Sequence, residues 1–213
     1  LPECSVETRA NIYDEIIQTL AAIHSIPIEP AGLADYGKPG NYFERQVGRW
    51  SEQYRASVTQ VIPAMDALID LLPGRCPADD GSVALVHGDF RIDNLMFEPD
   101  GLHVLAVVDW ELSTLGHPLA DLGYFCMALR LPRNPALPGL DGMNRAELGI
   151  PEETALLVRY AELTGRKIPE DWAFVLAFSF FRLAAIAQGV AKRVQQGNAS
   201  SEQAEQAGRM VEL

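Results

Sequence analysis

Positive charge is what this chain has least of. Lys and Arg number 17 against 29 Asp and Glu, which leaves a net charge of −12 over 213 residues. Nucleic acid is held by clustered Lys and Arg, so this balance argues against a nucleic-acid partner. Lysine is confined to Lys38, Lys167 and Lys192. Cysteine is as rare, and Cys4, Cys76 and Cys126 lie far apart without any paired spacing. They point to reduced thiols in a cytoplasmic setting, not to a disulfide framework or a zinc site. The chain has no G-x-G-x-x-G run, no internal repeat and no low-complexity block. One apolar stretch, residues 173–191, is long enough to raise a membrane question. Arg182 sits at its centre, where insertion costs about 2.5–3.5 kcal/mol. A buried helix without membrane contact is expected.

What is present is ordinary globular composition, 48% hydrophobic and 22% charged. The length suits a single domain over residues 1–213 with a sizeable core. The opening Leu1-Pro2-Glu3 lacks an initiator Met, so the chain is expected to be a segment of a longer protein. Ser5 can cap a helix through Ile12, Ile16, Leu20 and Ile23, ending near His24 before Pro27. Residues 29–41 read as a loop. From Tyr42 to Leu72 apolar residues recur at steps of three or four, a long amphipathic helix broken or bent at Pro63. Trp50 and Tyr54 at this spacing are core. Residues 133–149 read as a flexible connection. Residues 152–164 read as a helix closed by Gly165, and Asp171 caps a long helix through Trp172, Leu176, Phe180, Leu183 and Ile186. Beyond Gly197 the chain loosens before a last short helix ending at Leu213. The fold class is mostly α with a small β-hairpin element, α+β.

The chemistry concentrates in residues 85–124, LVHGDFRIDNLMFEPDGLHVLAVVDWELSTLGHPLADLGY. Residues 83–86 and 102–108 are aliphatic runs without charge and read as buried strands. Residues 94–97 read as a third strand, and Pro99, Asp100 and Gly101 as a tight turn that folds it back as a hairpin. Residues 110–117 read as a loop. A hairpin turning near Asp100 brings Asn94 and Asp109 to one open end, beside the loop that carries Asp89.

His87-Gly88-Asp89-Phe90-Arg91-Ile92-Asp93-Asn94 resembles the catalytic loop of the aminoglycoside-phosphotransferase-like family, relatives of the protein kinases. The kinase pattern is H-R-D-L-x-x-x-N followed by a D-F-G aspartate. Asp89 and Asn94 keep that spacing, and Val108-Asp109-Trp110-Glu111 resembles the family's metal-binding aspartate segment. Pro118-Leu119-Ala120-Asp121-Leu122-Gly123 resembles the helix start that follows, and Leu20-Ala21-Ala22-Ile23-His24 an earlier L-A-x-x-H segment, whose histidine is read as structural. Residues 181–189 resemble in particular the subgroup of kinase-like domains joined to acyl-CoA dehydrogenases.

The resemblance implies the C-terminal lobe of a protein-kinase-like fold, with the ATP-clamping N-terminal lobe absent from this chain. It implies a small-molecule phosphotransferase using ATP and Mg²⁺. Phosphoryl transfer needs positioning and charge neutralisation more than covalent help. Asp89 is the candidate base for an acceptor hydroxyl. Asn94 and Asp109 are candidate Mg²⁺ and nucleotide ligands, since Mg²⁺ takes one or two carboxylates and other oxygen donors. Asp121 is expected to brace the catalytic-loop backbone, with His87 in support. Arg182 is expected either to pair with a buried carboxylate such as Asp121 or to lie on the rim. Acceptors in the family include aminoglycosides, choline-like alcohols and sugars, and the subgroup suggests a hydroxylated acyl compound and a fused or partnered domain. Two other readings compete. One is a non-catalytic, kinase-like scaffold. The other is an iron site built from His87 and Asp89 with His103 or His117.

Overall fold

The computed structural model describes residues 3–99, 103–134 and 137–196. The expected turn tip at Asp100 and Gly101 and the expected helix ending at Leu213 lie outside the described residues. Helix α1, Val6–His24, begins where Ser5 accepts a hydrogen bond from the Thr8 amide at 3.0 Å. Ile12, Ile16, Ile17, Leu20 and Ile23 are all buried along its length. Each such aliphatic side chain contributes about 1.5–3 kcal/mol when fully withdrawn from water. That face packs against α6, Glu153–Thr164, which Gly165 closes at φ +68°. The longest helix, α7, Trp172–Gln195, starts at Asp171, whose carboxylate accepts from the Phe174 amide. Among the described residues it alone is long and apolar enough to cross a bilayer. Its apolar side chains are instead largely buried, against α2, Tyr42–Ser57, and α4, Leu119–Met127.

The expected long helix from Tyr42 is two helices. The first ends at Ser57, and Pro63 is the first residue of α3, Pro63–Leu71. The break therefore precedes the proline by several residues. A proline at the first helical position suits its missing N–H. The carbonyls released at the end of α2 are taken up by side chains of α7. Gln188 Nε2 donates to the Ser57 carbonyl at 2.8 Å, and Lys192 Nζ donates to that of Ala56 at 2.7 Å.

The strands form small antiparallel pairs. β2, Leu95–Phe97, pairs with β3, Val104–Val107, as the expected hairpin, with Leu95 opposite Val107. β3 is not the buried strand expected: it packs through Val104 and Val107, while Leu105 stands outward where a bulge shifts the register. β1, Ala84–Val86, is buried along its length. Its partner is β4, Thr114–Gly116, inside the segment expected to be a loop. Residues 133–149 are also less featureless than expected: β5, Arg133–Asn134, pairs with β6, Leu137–Pro138, and α5, Arg145–Leu148, follows. The architecture is mostly helical with small antiparallel sheets, which is the fold class expected.

Gly123 lies where α4 packs tightly against α7. A Cβ there would stand 2.5 Å from Val175 Cγ1 and 3.1 Å from Ser179 Oγ. Alanine ordinarily favours a helix over glycine by about 1 kcal/mol. Gly123→Ala should nevertheless destabilise the protein by about 1–3 kcal/mol through overpacking, measured as a lower urea midpoint at unchanged m-value.

Candidate active site

Strand β1 delivers the chain into His87-Gly88-Asp89, and that turn depends on a glycine. Gly88 has φ +85°, and a Cβ on it would meet the Leu112 carbonyl oxygen at 2.4 Å. The two amides leaving the strand point at one carboxylate. His87 N–H donates to Asp121 Oδ2 at 2.7 Å and Gly88 N–H to Asp121 Oδ1 at 2.8 Å. Asp121 is fully buried in the first turn of α4, where the positive end of the helix dipole favours a negative charge. The expected brace is therefore present as a contact. The His24 ring adds a third donor to the same carboxylate at 3.2 Å, and its other nitrogen meets the Tyr160 hydroxyl at 2.7 Å. His24 is thus a buried structural group that ties α1 and α6 to the loop.

His87 links the two halves of the site. Its Nδ1 accepts from the Asp89 amide at 3.2 Å, which leaves Nε2 protonated to donate to the Val108 carbonyl at 2.9 Å. Val108 N–H in turn donates to the Asn94 carbonyl at 2.9 Å. One residue, Val108, thus carries both ties, and Asp109 follows it directly. Asp109 is exposed, with φ +67° and ψ +54°. Left-handed backbone is uncommon outside glycine, and aspartate tolerates it better than most residues.

Asn94 meets Asp89 directly. Its Nδ2 donates to the Asp89 carbonyl at 2.8 Å and to the Asp89 carboxylate at 3.0 Å. With the amide nitrogen committed twice, the carbonyl oxygen of Asn94 is left as a neutral donor for a cation. A carboxylate at Asp109 and this amide oxygen form an all-oxygen pair of the kind Mg²⁺ takes alongside phosphates and water. The donor set fits that ion. It does not fit the alternative iron site. The His87 ring is spent on hydrogen bonds within its own loop, His103 pairs with Glu15 at 3.7 Å, and His117 pairs with Asp80 at 3.5 Å. Among the described residues no group of three His, Cys, Asp or Glu side chains could hold a metal.

Arg182 does neither of the two things expected of it. It is buried, so it is no rim residue, and among the described residues it forms no ion pair. The oxygens of Asp121 are already occupied by the two loop amides and His24. Instead the guanidinium donates to the Gly88 carbonyl and lies over two rings, 5.5 Å from the centroid of Trp50 and 5.0 Å from that of Tyr124. Tyr124 is the site residue that sequence reasoning missed. Its ionisation is pushed upward, first by burial and then by the negative charge of Asp89. Its position three residues after Asp121, on the same face of one helix, was the available signal.

Residues 3–166 match the sequence profile of APH, the phosphotransferase enzyme family. The chain is 46% identical over 213 residues to acyl-CoA dehydrogenase family member 10 of Mus musculus, spanning 100% of this chain and 20% of that protein. It is 42% identical over 203 residues to acyl-CoA dehydrogenase family member 11 of Homo sapiens, spanning 95% of this chain and 26% of that protein. A crystal structure of a protein from Ralstonia eutropha, assigned only provisionally as an aminoglycoside phosphotransferase, superposes with a TM-score of 0.94 at 51% identity, over 99% of this chain and 64% of that one. The matched region is thus a minor part of both curated relatives and under two thirds of the crystallised one.

The brace generates its own test. Asparagine at position 121 would turn an N–H group toward one of the two backbone amides and leave that donor unpaired. Asp121→Asn should therefore cost about 1–3 kcal/mol. Hydrogen–deuterium exchange should speed up at the His87 and Gly88 amides more than at those of α7.

Proposed function

The chain belongs to the phosphotransferase enzyme family, and from that premise we propose that it carries the catalytic lobe of an ATP- and Mg²⁺-dependent kinase for a small-molecule hydroxyl. The observation that carries this reading is the junction of Asp89, Asn94 and the Asp109 segment through one short set of hydrogen bonds. Asp89 orients the acceptor hydroxyl and takes its proton as the oxygen attacks the γ-phosphorus. The bond to the β-phosphate oxygen breaks as the new one forms, and ADP leaves. Asn94 Oδ1 and the Asp109 carboxylate would hold Mg²⁺, which when bound would supply neutralisation of the phosphate charge. His87, Asp121 and Arg182 act on the loop backbone and not on the reactants.

Beside Asp109 the β2–β3 hairpin exposes Met96 and Leu105, with the partly exposed Val108 and Leu112 close by in sequence. An apolar surface next to a cation site suits a purine ring and a covering N-terminal lobe. The chain is then the larger lobe of a two-lobed kinase. Because the curated relatives are named as acyl-CoA dehydrogenases and extend well beyond the matched region, a fused or partnered dehydrogenase portion and a hydroxylated acyl acceptor are part of the same reading. The free thiols agree with a cytoplasmic location.

In the full-length protein Asp89→Ala should lower phosphoryl transfer from Mg²⁺-ATP by about 10²–10⁴-fold, and full activity in that variant would overturn the base assignment. Mg²⁺-ATP at a hundred times its Kd should raise stability by about 2.7 kcal/mol. Asp109→Ala should abolish that thermal shift, and a shift of unchanged size would remove Asp109 from the nucleotide site.

A further inference from the structure

We propose that Tyr36 is a positioning residue for Asp109. It acts through a short hydrogen-bond relay that fixes the turn after that carboxylate, and so sets the preference of the site for Mg²⁺ over larger cations. The inference rests on the reading of Asp109 as a cation ligand and deepens it.

Asp109 is held in a backbone conformation uncommon outside glycine, φ +67° and ψ +54°. Such a conformation persists only where its neighbours over-determine it. On the N-terminal side the clamp is Val108, tied to Asn94 through its N–H and to His87 through its carbonyl. On the C-terminal side it is Trp110, which opens a single 3₁₀ turn, Trp110–Leu112. Its indole N–H donates to the Val107 carbonyl at 2.8 Å. Its carbonyl accepts from the Ser113 amide at 3.0 Å and from the Ser113 hydroxyl at 2.5 Å.

The Ser113 hydroxyl has a single proton, and the Trp110 carbonyl takes it. Its oxygen is left to accept, and the group it meets is the hydroxyl of Tyr36. The direction follows: Tyr36 donates to Ser113, and Ser113 donates to Trp110. Hydrogen bonds in such a chain polarise and strengthen one another. Tyr36 comes from the connection between α1 and α2, and that connection is firmly seated. A Cβ on Gly37 would stand 2.5 Å from Thr114 Oγ1 and 2.6 Å from the Leu115 amide nitrogen, so the backbone lies directly on β4. Further along, Arg45 donates to the Lys38 carbonyl at 2.6 Å and the Asn41 amide to Asp79 at 3.0 Å. Burial does not explain the tyrosine, which is 45% exposed; its hydroxyl is the part engaged.

Mg²⁺ demands near-ideal octahedral geometry, whereas Ca²⁺ accepts oxygens in flexible arrangements. A carboxylate free to swing serves Ca²⁺ nearly as well as a fixed one, but it does not serve Mg²⁺. Loosening the relay therefore costs Mg²⁺ more.

The test uses the full-length protein with ATP, titrated with Mg²⁺ or Ca²⁺ and read by thermal shift. In Tyr36→Phe the Mg²⁺ concentration giving half the shift should rise about 2- to 10-fold, the worth of one net hydrogen bond. The Ca²⁺ midpoint should move less than about 2-fold, with the Tm of the unliganded protein unchanged. In the metal-free protein, hydrogen–deuterium exchange should speed up at the Ser113 amide and not in α7. Ser113→Ala should weaken Mg²⁺ at least as much, and adding Tyr36→Phe to it should bring no further loss, because the two act as one unit. An unmoved Mg²⁺ midpoint in Tyr36→Phe overturns the inference, and so does equal weakening of both ions with a fall in Tm. Additive losses overturn the relay. Asp109→Ala separates this from the parent reading. If it abolishes the Mg²⁺ response while Tyr36→Phe leaves it intact, only the positioning role fails. If Asp109→Ala leaves the response intact, or the wild type has none, the assignment of Asp109 fails and this inference with it.

Discussion

One buried carboxylate sets the geometry on which the rest depends. Asp121 accepts both amides that leave β1 and also the His24 ring, so three donors converge on two oxygens inside the core. Ionised groups in such a place are tolerated only when hydrogen bonds replace lost water. Here the donors belong to the loop, to α1 and, through Tyr160, to α6. The arrangement turns a solvation requirement into a positional one. The loop cannot drift from α4 without stripping a charge of its partners. The conformation of Gly88 follows from the same demand, because two successive amides can face one carboxylate only if the chain bends sharply between them.

From that anchor the order passes outward by short steps. His87 accepts from the peptide of Asp89 and donates to that of Val108, so a single imidazole spans the catalytic-loop segment and the exit of β3. Asn94 then closes the ring from below, with its backbone on Val108 and its side chain on Asp89. None of these contacts is strong alone, at about 0.5–1.5 kcal/mol net each. Their value lies in sharing members: moving one forces at least two others to break.

How much of this could be read from the sequence depended on range. The hairpin was legible because Pro99 and Gly101 announce a reversal between two apolar runs only a few residues apart. The pairing of β1 with β4 was not, since Thr114-Leu115-Gly116 is too short for any periodicity and its partner lies some thirty residues upstream. The interruption after Ser57 was misplaced because the group that takes up its freed carbonyl, Gln188, lies on α7, a contact that no local pattern announces. At the site, Asp89, Asn94 and Asp109 stood out as an ordered set, and the bracing position of Asp121 came with it. The surroundings of Arg182 did not, because a charge in an apolar helix suggests an acidic partner by default. The chain uses aromatic faces and a carbonyl instead.

The left-handed backbone at Asp109 bears on how such a chain can change over generations. Aspartate and glycine codons differ by one base, and glycine adopts that conformation without steric cost. Mutation toward glycine there relaxes the fold while removing a carboxylate at a single stroke. A lineage released from selection for turnover therefore has a short route to a sturdier but inert descendant, and the aspartate persists only where something other than folding holds it in place.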